Sequence, residues 1–407
     1  MRRTNISNYS DYLIWWIVSL WLIVDSITGF FLSKGINVPI SQLYKLTVLF
    51  LVLWALSKQK SSLILVFVIL TWAAIYFLHL NINGYPYLNA FLSLSKFLTA
   101  VFLYLYFCLT IRVFKEYSIH YGYQSLILGA GVVIVNVLLG VLGFGVPSYG
   151  GDEIDMGVKG FFFAGNELGG IMAVMAPFLF YLILLNLSGI KYYCCYIVIL
   201  AAGILIGTKT SILATVSAAV IIPYLYLSKQ SRRKFIFAWL IILICLISLV
   251  IKYINELEIG AIERWTFFYE TGGLEKLIFS GRDEFWDNQK SEFFNASFLS
   301  QLFGMGSDGK IIERDHLDTL LIYGYVGFCL IAGFYLYLTF YAIKHRHNNS
   351  LGKVIVFSDI LILGIAYMAG HVWFSAMASV YIALLNSFST LRYKGILFGK
   401  NINNLSQ

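Results

Sequence analysis

Long apolar segments occupy most of the chain, and they constrain its fold more than any other feature. The twelve segments lie at 12–32, 41–57, 61–80, 88–111, 123–146, 161–186, 192–207, 210–228, 234–254, 317–343, 354–374 and 376–391. Most are close to the ~20 residues that an α-helix needs to cross a bilayer. Charged residues make up only 12% of the chain, against about 25% in soluble domains. The sequence therefore predicts a membrane protein built from helices, because a backbone in lipid must satisfy its own hydrogen bonds.

The predicted fold class is an all-α polytopic membrane protein with about 12 transmembrane helices and one large extracytoplasmic loop. The range is 10 to 12, because only Thr208-Lys209-Thr210 separates two of the segments and the last two divide tightly near 371–376. The predicted organisation is helices 1–9 in residues 1–254, the large loop in 255–316, and helices 10–12 with a cytoplasmic tail in 317–407.

The distribution of Lys and Arg predicts the orientation of these helices. Cytoplasmic loops carry an excess of both residues. With the N-terminus inside, the short outer loops contain only Lys34, Lys159 and Lys209, whereas the inner loops and both termini contain most of the others. We therefore expect both termini in the cytoplasm and the 255–316 segment outside. The net charge of +8 follows from this topology and from attraction to anionic lipids, so it does not call for a nucleic-acid partner.

The sequence lacks the signatures of several kinds of chemistry. The five cysteines all fall in apolar segments without paired spacing, which predicts buried thiols and no disulfide framework. There is no P-loop, HExxH or GxSxG motif, which argues against ATP hydrolysis and metalloprotease activity. Because no outer cluster has convincing metal-ligand spacing, we expect no metal and no cofactor.

The 255–316 segment is the longest polar stretch and contains most of the acidic residues that could do chemistry. Its stretches 261–279 and 284–303 place aromatic residues at loosely helical spacing. Two interpretations remain open: helices lying at the membrane surface, or a small packed lid over the helix bundle.

Four short motifs give the chain a family resemblance. They are SGRDEFW (280–286), LFGMGSDGKIIERDHLDTLLIYGYVG (302–327), FFFAGNELGGIMAVMAPF (161–178, with Asn166 and Gly169) and GTKTSILATVSA (207–218, with Lys209 and Ser211). With the span count and loop position, they resemble the O-antigen ligase and Wzy-type polysaccharide polymerase superfamily, whose fold is GT-C-like. Ligases usually have a His-Asn pair after the glycine turn, but no Asn stands beside His316 here. This departure favours a capsule, O-antigen or exopolysaccharide polymerase.

The resemblance implies a bacterial cytoplasmic-membrane enzyme that joins oligosaccharide repeat units carried on undecaprenyl diphosphate. Its partners would be the lipid-linked substrate and membrane lipids, with a chain-length regulator and a flippase as further candidates. A ligase that transfers the glycan to a separate acceptor and a polytopic transporter or flippase remain alternatives. A transporter would be expected to show inverted-repeat symmetry, which this sequence does not.

The candidate site residues follow from the charge that such a reaction moves. Arg282 is the first candidate to hold the departing diphosphate, because arginine binds phosphate oxygens with two donors; Arg264, Arg314 and Lys209 are the others. A general base for the acceptor hydroxyl is expected among Glu313, Asp315 and His316, with Asp318 beside them. Each has a structural alternative: Arg282 could pair with a neighbouring acid at 283, 284 or 287, and Asp315 could cap the helix that follows.

Charged residues inside the apolar segments are the second group of candidates, since an ionised side chain in a bilayer is costly. Lys96 could face the diphosphate or form an ion pair with Asp25 or Asp359. Glu167, beside Asn166 near the outer end of its span, is a further candidate for substrate binding.

Overall fold

The computed structural model of the chain describes residues 5–149, 156–253, 260–309 and 312–391. Before a hairpin of two strands come α1 (Asn5–Ser19), α2 (Trp21–Ser33), α3 (Ile40–Ser57), α4 (Lys60–Ile82), α5 (Leu88–Val113) and α6 (Lys115–Val141). The hairpin pairs β1 (Val146–Tyr149) with β2 (Met156–Gly160) in antiparallel fashion. After it come α7 (Gly165–Asn186), α8 (Gly189–Leu205), α9 (Lys209–Tyr226), α10 (Lys229–Tyr253), α11 (Gly260–Phe279), α12 (Arg282–Asn295), α13 (Phe298–Phe303), α14 (Asp315–His345), α15 (Gly352–Met368) and α16 (Ser379–Ser387).

The described helices confirm a polytopic helical membrane protein but not the predicted count of 12 spans. Seven helices are long and apolar enough to cross a bilayer: α3, α4, α5, α6, α7, α9 and α14. The helices α1 and α2 are bent by 46° at a short break and pass the same criterion as a pair, which makes up to eight spans. The small hairpin is the departure from an all-α fold in the described residues.

The predicted last span, 376–391, differs most from expectation. Its helix α16 has 9 residues, about 14 Å at ~1.5 Å per residue, whereas the hydrocarbon core of a bilayer is ~30 Å thick. Every residue of α16 is buried, because the helix lies inside the protein against α5. The apolar character of this segment therefore reflects burial in protein rather than contact with lipid.

Small residues let the central helices approach one another closely. The helix α7 packs against α9, where a Cβ atom at Gly169 would lie 2.0 Å from the hydroxyl oxygen of Thr210. The helix α8 packs against α9 in the same way, because a Cβ atom at Gly203 would lie 2.0 Å from the hydroxyl oxygen of Thr215. Such small-residue contacts are the usual means of packing helices within a membrane. They fix the N-terminal ends of α7 and α9 side by side.

A break in α14 shapes the region around the 302–327 motif. Gly324 has φ 64° and ψ −169°, which interrupts the helix and frees carbonyl groups in the preceding turn. The loop after α13 satisfies two of them: Met305 N donates to Leu321 O at 3.1 Å and Gly306 N donates to Ile322 O at 3.2 Å. The glycine-rich loop is therefore part of the packed structure, and it leads the chain into the residues that precede α14.

The helices α11, α12 and α13 lie within the 255–316 segment, as the aromatic spacing at 261–279 and 284–303 predicts. The helix α11 is interrupted at Gly272 and Gly273, where the second glycine has φ 66°. Gly281, with φ 80°, then turns the chain into α12. These turns bring the end of α11 and the start of α12 over the N-terminal end of α9.

Candidate functional site

Arg282 lies where α12 begins, and its guanidinium group is held on two sides. Its Nε and Nη2 atoms donate to Glu313 Oε2 at 3.1 and 2.7 Å, and its Nη1 atom donates to Phe279 O at 3.4 Å. The side chain is 12% exposed. Two of the acidic neighbours that could have paired with it form other ion pairs: Glu284 with Lys276 and Asp287 with Lys290. The motif arginine and the motif glutamate, which are 31 residues apart in sequence, thus form one ion pair.

Glu313 connects Arg282 to a histidine from another part of the chain. Its Oε1 atom lies 3.8 Å from His371 Nε2, an ion-pair distance rather than a hydrogen-bond distance. The interaction with His371 and the positive charge of Arg282 lower the pKa of Glu313 to about 2, although burial opposes this shift. Glu313 is therefore a carboxylate at neutral pH and a weak base.

Three residues with left-handed backbone converge on this site. Ser280 (φ 57°), Glu313 (φ 62°) and His371 (φ 62°) are the non-glycine residues with positive φ in the part of the chain that the structure describes. Such a conformation costs on the order of 1–3 kcal/mol and persists only where surrounding contacts enforce it. Glu313 belongs to the ion pair with Arg282, and the other two lie next to that pair. This is the pattern expected of a site whose geometry is imposed by the fold.

The carboxylates of Asp315 and Asp318 hold backbone segments in place. Asp315, which is 2% exposed, accepts hydrogen bonds from the backbone N–H groups of His371, Val372 and Trp373 at 2.7, 2.9 and 2.9 Å. It thereby fixes the loop between α15 and α16 rather than capping its own helix. Asp318 accepts from the N–H groups of Ile312 and Arg314 at 2.7 and 3.1 Å, and so fixes the approach to α14.

The residues that precede and follow Asp315, Arg314 and His316, pack against aromatic rings. The guanidinium carbon of Arg314 lies 4.0 Å from the ring centre of Phe279 and 5.1 Å from that of Tyr367, and its Nε atom donates to Tyr367 O. The imidazole of His316 stacks on the same Tyr367 with ring centres 4.8 Å apart. Its Nδ1 atom is buried without a hydrogen-bond partner in the described residues. Arg314 and His316 therefore pack against α15.

Lys209 and Asn166 stand at the N-terminal ends of α9 and α7. The Nζ atom of Lys209 donates to Leu277 O at 2.7 Å and to Ser280 Oγ at 2.9 Å, which ties α9 to the end of α11. The Oδ1 atom of Asn166 accepts a hydrogen bond from the hydroxyl group of Tyr149 at 3.0 Å, which ties α7 to the β-hairpin.

A cavity of about 580 Å³ joins these groups to Arg282. Arg282, Lys209, Ser280, Asn166 and Tyr149 line its polar end. Its apolar wall is one face of α9, formed by Ile212, Leu213, Val216 and Val220, and the end of α15 contributes Met368 and Ala369. A single cavity thus offers two cationic side chains at one end and an apolar surface about two helical turns long beside them.

Comparison with known protein families identifies the group to which the chain is related. The family model described as O-antigen ligase like membrane protein matches residues 7–257 and 270–392. The chain belongs to this family. No curated protein and no solved structure matches it in the same comparisons. Membership of the O-antigen ligase like family covers nearly the whole chain, including every described residue of the cavity.

The remaining candidates form no ion pair with Arg282 or Glu313 among the described residues of this member of the O-antigen ligase like family. Glu167 accepts hydrogen bonds from Ser375 Oγ and Met377 N, so it holds the far end of the loop between α15 and α16. Arg264 lies in α11, in a stretch whose side chains are outside the described part of the structure.

Lys96 is half-buried in α5 and has no ion-pair partner among the described residues. Neither acid proposed as its partner pairs with it: Asp25 pairs with Lys45 at 2.6 Å, and Asp359 accepts a hydrogen bond from Asn386 at 2.7 Å.

His371 is the residue of the site that the sequence did not single out. It lies in the short AGHVWFS stretch between the last two apolar segments, which the span count treats only as a tight connection. A polar residue beside a glycine in such a connection is a weak signal. Its proximity to Glu313 arises from tertiary contacts across 58 residues, and no local pattern encodes it.

Proposed function

We propose that this protein is a polymerase that joins undecaprenyl-diphosphate-linked oligosaccharide repeat units into a capsular, O-antigen or exopolysaccharide at the outer face of the bacterial cytoplasmic membrane. Membership of the O-antigen ligase like family implies glycosyl transfer from a lipid-linked glycan. The choice of a polymerase is supported by the residue after His316, which is Leu317 instead of the Asn that accompanies this His in ligases.

The cavity between α7, α9 and α11–α12 is the observation that supports a lipid-diphosphate donor. A diphosphate needs cationic or hydrogen-bond donors, and Arg282 and Lys209 stand at its polar end. A prenyl chain needs a continuous apolar surface, which the exposed face of α9 supplies directly beside those cations. One cavity therefore satisfies both chemical requirements of undecaprenyl diphosphate.

Arg282 has the geometry to stabilise the departing diphosphate. The bond between the sugar and the diphosphate breaks during transfer, and the leaving group gains negative charge that a prepositioned guanidinium can neutralise. Glu313 and Phe279 O hold that guanidinium in one orientation before substrate arrives. Lys209 adds a second positive charge, and Asn166 with Tyr149 offers hydrogen-bonding groups to sugar hydroxyls.

The other candidate residues would act by fixing the loops around the reaction. Asp315 and Glu167 bind the two ends of the loop between α15 and α16. Asp318 and Arg314 fix the segment that carries Glu313. Lys96 and Arg264 remain candidates for substrate binding on the strength of their charge.

Reconstitution tests this function directly. Lipid-linked repeat units would be extracted from membranes of cells that lack the protein and incubated with the purified chain in liposomes, and the products separated on a gel. A ladder of products is expected from a polymerase. One shifted band that requires an added acceptor would indicate a ligase, and transfer of the lipid across the bilayer without a new bond would indicate a flippase.

The same assay tests the expected independence from metals and cofactors. Polymer formation should continue in an excess of chelator, since Arg282 and Lys209 supply positive charge without a cation such as Mg²⁺. Loss of the ladder on chelation, with recovery on adding Mg²⁺ or Mn²⁺, would contradict this expectation. Association with a chain-length regulator or a flippase is a separate proposal, which co-purification from native membranes can test.

A further inference from the structure

The loop between α15 and α16 holds His371 in one defined position. Its backbone N–H and those of the next two residues donate to the buried carboxylate of Asp315. The residue before it, Gly370, has φ 62°, and a Cβ atom there would lie 2.5 Å from the carbonyl oxygen of Glu313. The backbone of His371 is thus fixed against the segment that carries Glu313, in a left-handed conformation that a histidine rarely adopts.

The carboxylate of Glu313 orients the imidazole of His371. Its Oε1 atom faces Nε2 of the ring at 3.8 Å, while Oε2 accepts both hydrogen bonds of Arg282. A carboxylate beside one ring nitrogen favours a proton on that nitrogen. With Glu313 beside Nε2, the lone pair that can accept a proton lies on Nδ1. The carboxylate would also stabilise the imidazolium that forms when Nδ1 gains a proton.

The other acid–base candidates of the described chain have their polar atoms engaged or enclosed. Asp315 and Asp318 bind five backbone N–H groups between them. Glu167 accepts from Ser375 and Met377, and the ring of His316 is stacked on Tyr367. The side chain of His371 is 30% exposed and follows Ala369, which lines the cavity. It therefore combines an exposed side chain with a carboxylate that orients it, and the same carboxylate joins it to Arg282, which lines the cavity.

We propose that His371, rather than His316, is the general base of the transfer, with Glu313 as the residue that orients it; this rests on the proposed function. The acceptor hydroxyl gives its proton to Nδ1 of His371 as its oxygen bonds to the anomeric carbon of the donor sugar. The bond from that carbon to the diphosphate breaks, and undecaprenyl diphosphate departs with the electron pair. Arg282 neutralises its charge, so Glu313 positions both the base and the cation.

The charges around His371 suit a base that operates near neutral pH. Burial alone would lower the pKa of His371, but the interaction with Glu313 and nearby negative charges outweigh it and raise the pKa above its ordinary value. The ionisable groups that act on it are Glu313, Asp315, Asp318 and Glu167, with Arg282 behind Glu313. A base is active when deprotonated, so the rate should rise with pH through this pKa.

The decisive experiment measures polymer formation and its pH dependence in His371→Gly. Glycine adopts the left-handed backbone of this position without strain, so the variant removes the imidazole with little disturbance of the loop. We expect the rate to fall by about 10²-fold to 10⁴-fold, as for loss of a general base, and to recover in part when free imidazole is added. Binding of undecaprenyl diphosphate, measured separately, should be unchanged.

The matched control is His347→Gly, which removes an exposed imidazole from a turn after α14, at the end of that helix far from Asp315. It should keep the full rate and the wild-type pH profile. In Glu313→Gln the inflection of the remaining activity should move to lower pH, because the carboxylate that raises the pKa of His371 is lost. If His371→Gly does not reach the membrane, His371→Asn, whose side chain also tolerates positive φ, is measured in its place.

The outcomes separate this inference from the proposed function. A wild-type protein that forms no glycosidic bond from lipid-linked repeat units would refute the proposed function. If the wild-type is active but the His371 variant keeps its rate and pH inflection, the function stands and the base assignment is wrong. A loss of rate that imidazole does not relieve, with the inflection retained, would also overturn the assignment, because it would mean that His371 only supports the structure.

Discussion

Among single residues, Arg282 has the most specific geometry in the site. Two of its nitrogens bind one carboxylate oxygen of Glu313, and a third faces a backbone carbonyl group. A planar guanidinium with several donors can occupy this position, whereas an ammonium group cannot reproduce all three directions. The identity of the cation, and not only its charge, should therefore determine the rate of transfer.

Arg282→Lys tests this point at constant charge. We expect turnover to fall by about 10²-fold to 10³-fold, which is typical of losing one well-placed donor to a developing anion. Arg346→Lys is the control, because Arg346 lies just after α14 and its Nη1 atom donates to the carbonyl group of Ile343. The measurement is polymer yield per protein in the membrane. Normal polymer from Arg282→Lys at normal abundance would remove Arg282 from the reaction.

Glu313 provides a prediction about acid stability. Its pKa of about 2 lies below the ordinary value of 4.5 for a glutamate, so the folded protein favours the charged form. The stabilisation is fully present above the unfolded-state pKa and is lost as pH falls through the folded-state pKa. The difference in thermal midpoint between wild-type and Glu313→Gln should therefore be largest above pH ~4.5 and shrink towards pH ~2. A difference that is independent of pH would show that the carboxylate does not stabilise the fold through its charge.

Among the elements, the break in α14 depends on a residue without a side chain. Gly324 has φ 64° and ψ −169°, a region that essentially only glycine adopts. A Cβ atom there would also lie 2.5 Å from Gly304 N and 2.5 Å from Leu302 O. The backbone of the loop after α13 thus approaches the break too closely for any other residue.

Gly324→Ala should accordingly lower the yield of folded protein and its thermal midpoint. The backbone strain alone costs on the order of 1–3 kcal/mol, and the close contacts of the new Cβ atom add to that cost. The control lies in the same helix. A Cβ atom at Gly333 would meet nothing within 4 Å, so Gly333→Ala should leave the midpoint unchanged or raise it. Size-exclusion profiles and thermal unfolding in detergent measure both variants, and equal behaviour of the two would contradict the role given to the break.

The sequence predicts the helices better than it predicts the tertiary contacts between them. Apolar periodicity and length locate most helices, and the motifs draw attention to Arg282 and Glu313. The contact between these two residues depends on turns at Gly281 and before α14, which no local pattern specifies. The pairing of His371 with Glu313 is harder still to foresee, because the apolar run of 376–391 that follows this loop reads as a span although α16 is enclosed in protein. Hydrophobicity alone does not distinguish burial in lipid from burial in protein.

At the scale of the whole molecule, the site lies where the helix bundle meets the polar 255–316 segment. The ends of α7, α9 and α15 form one side of the cavity, and the end of α11 with the start of α12 forms the other. The apolar face of α9 leads from this polar end along the helix. A donor with a polar head and a long prenyl chain can then place its head at Arg282 while its chain stays beside the bundle.

The proposed polymerisation at the outer face requires that Arg282 lie on the outer side of the membrane. The excess of Lys and Arg in the predicted inner loops predicts that the 255–316 segment lies outside. Substituted-cysteine labelling tests this in a chain without its native cysteines. Ser291→Cys, on an exposed position of α12, and Ser231→Cys, on an exposed position near the start of α10, should lie on opposite sides. In intact spheroplasts an impermeant thiol reagent should modify position 291 but not position 231. After the membrane is permeabilised, the reagent should modify both positions. The reverse result would place the site in the cytoplasm, and the proposed polymerisation at the outer face would then be wrong.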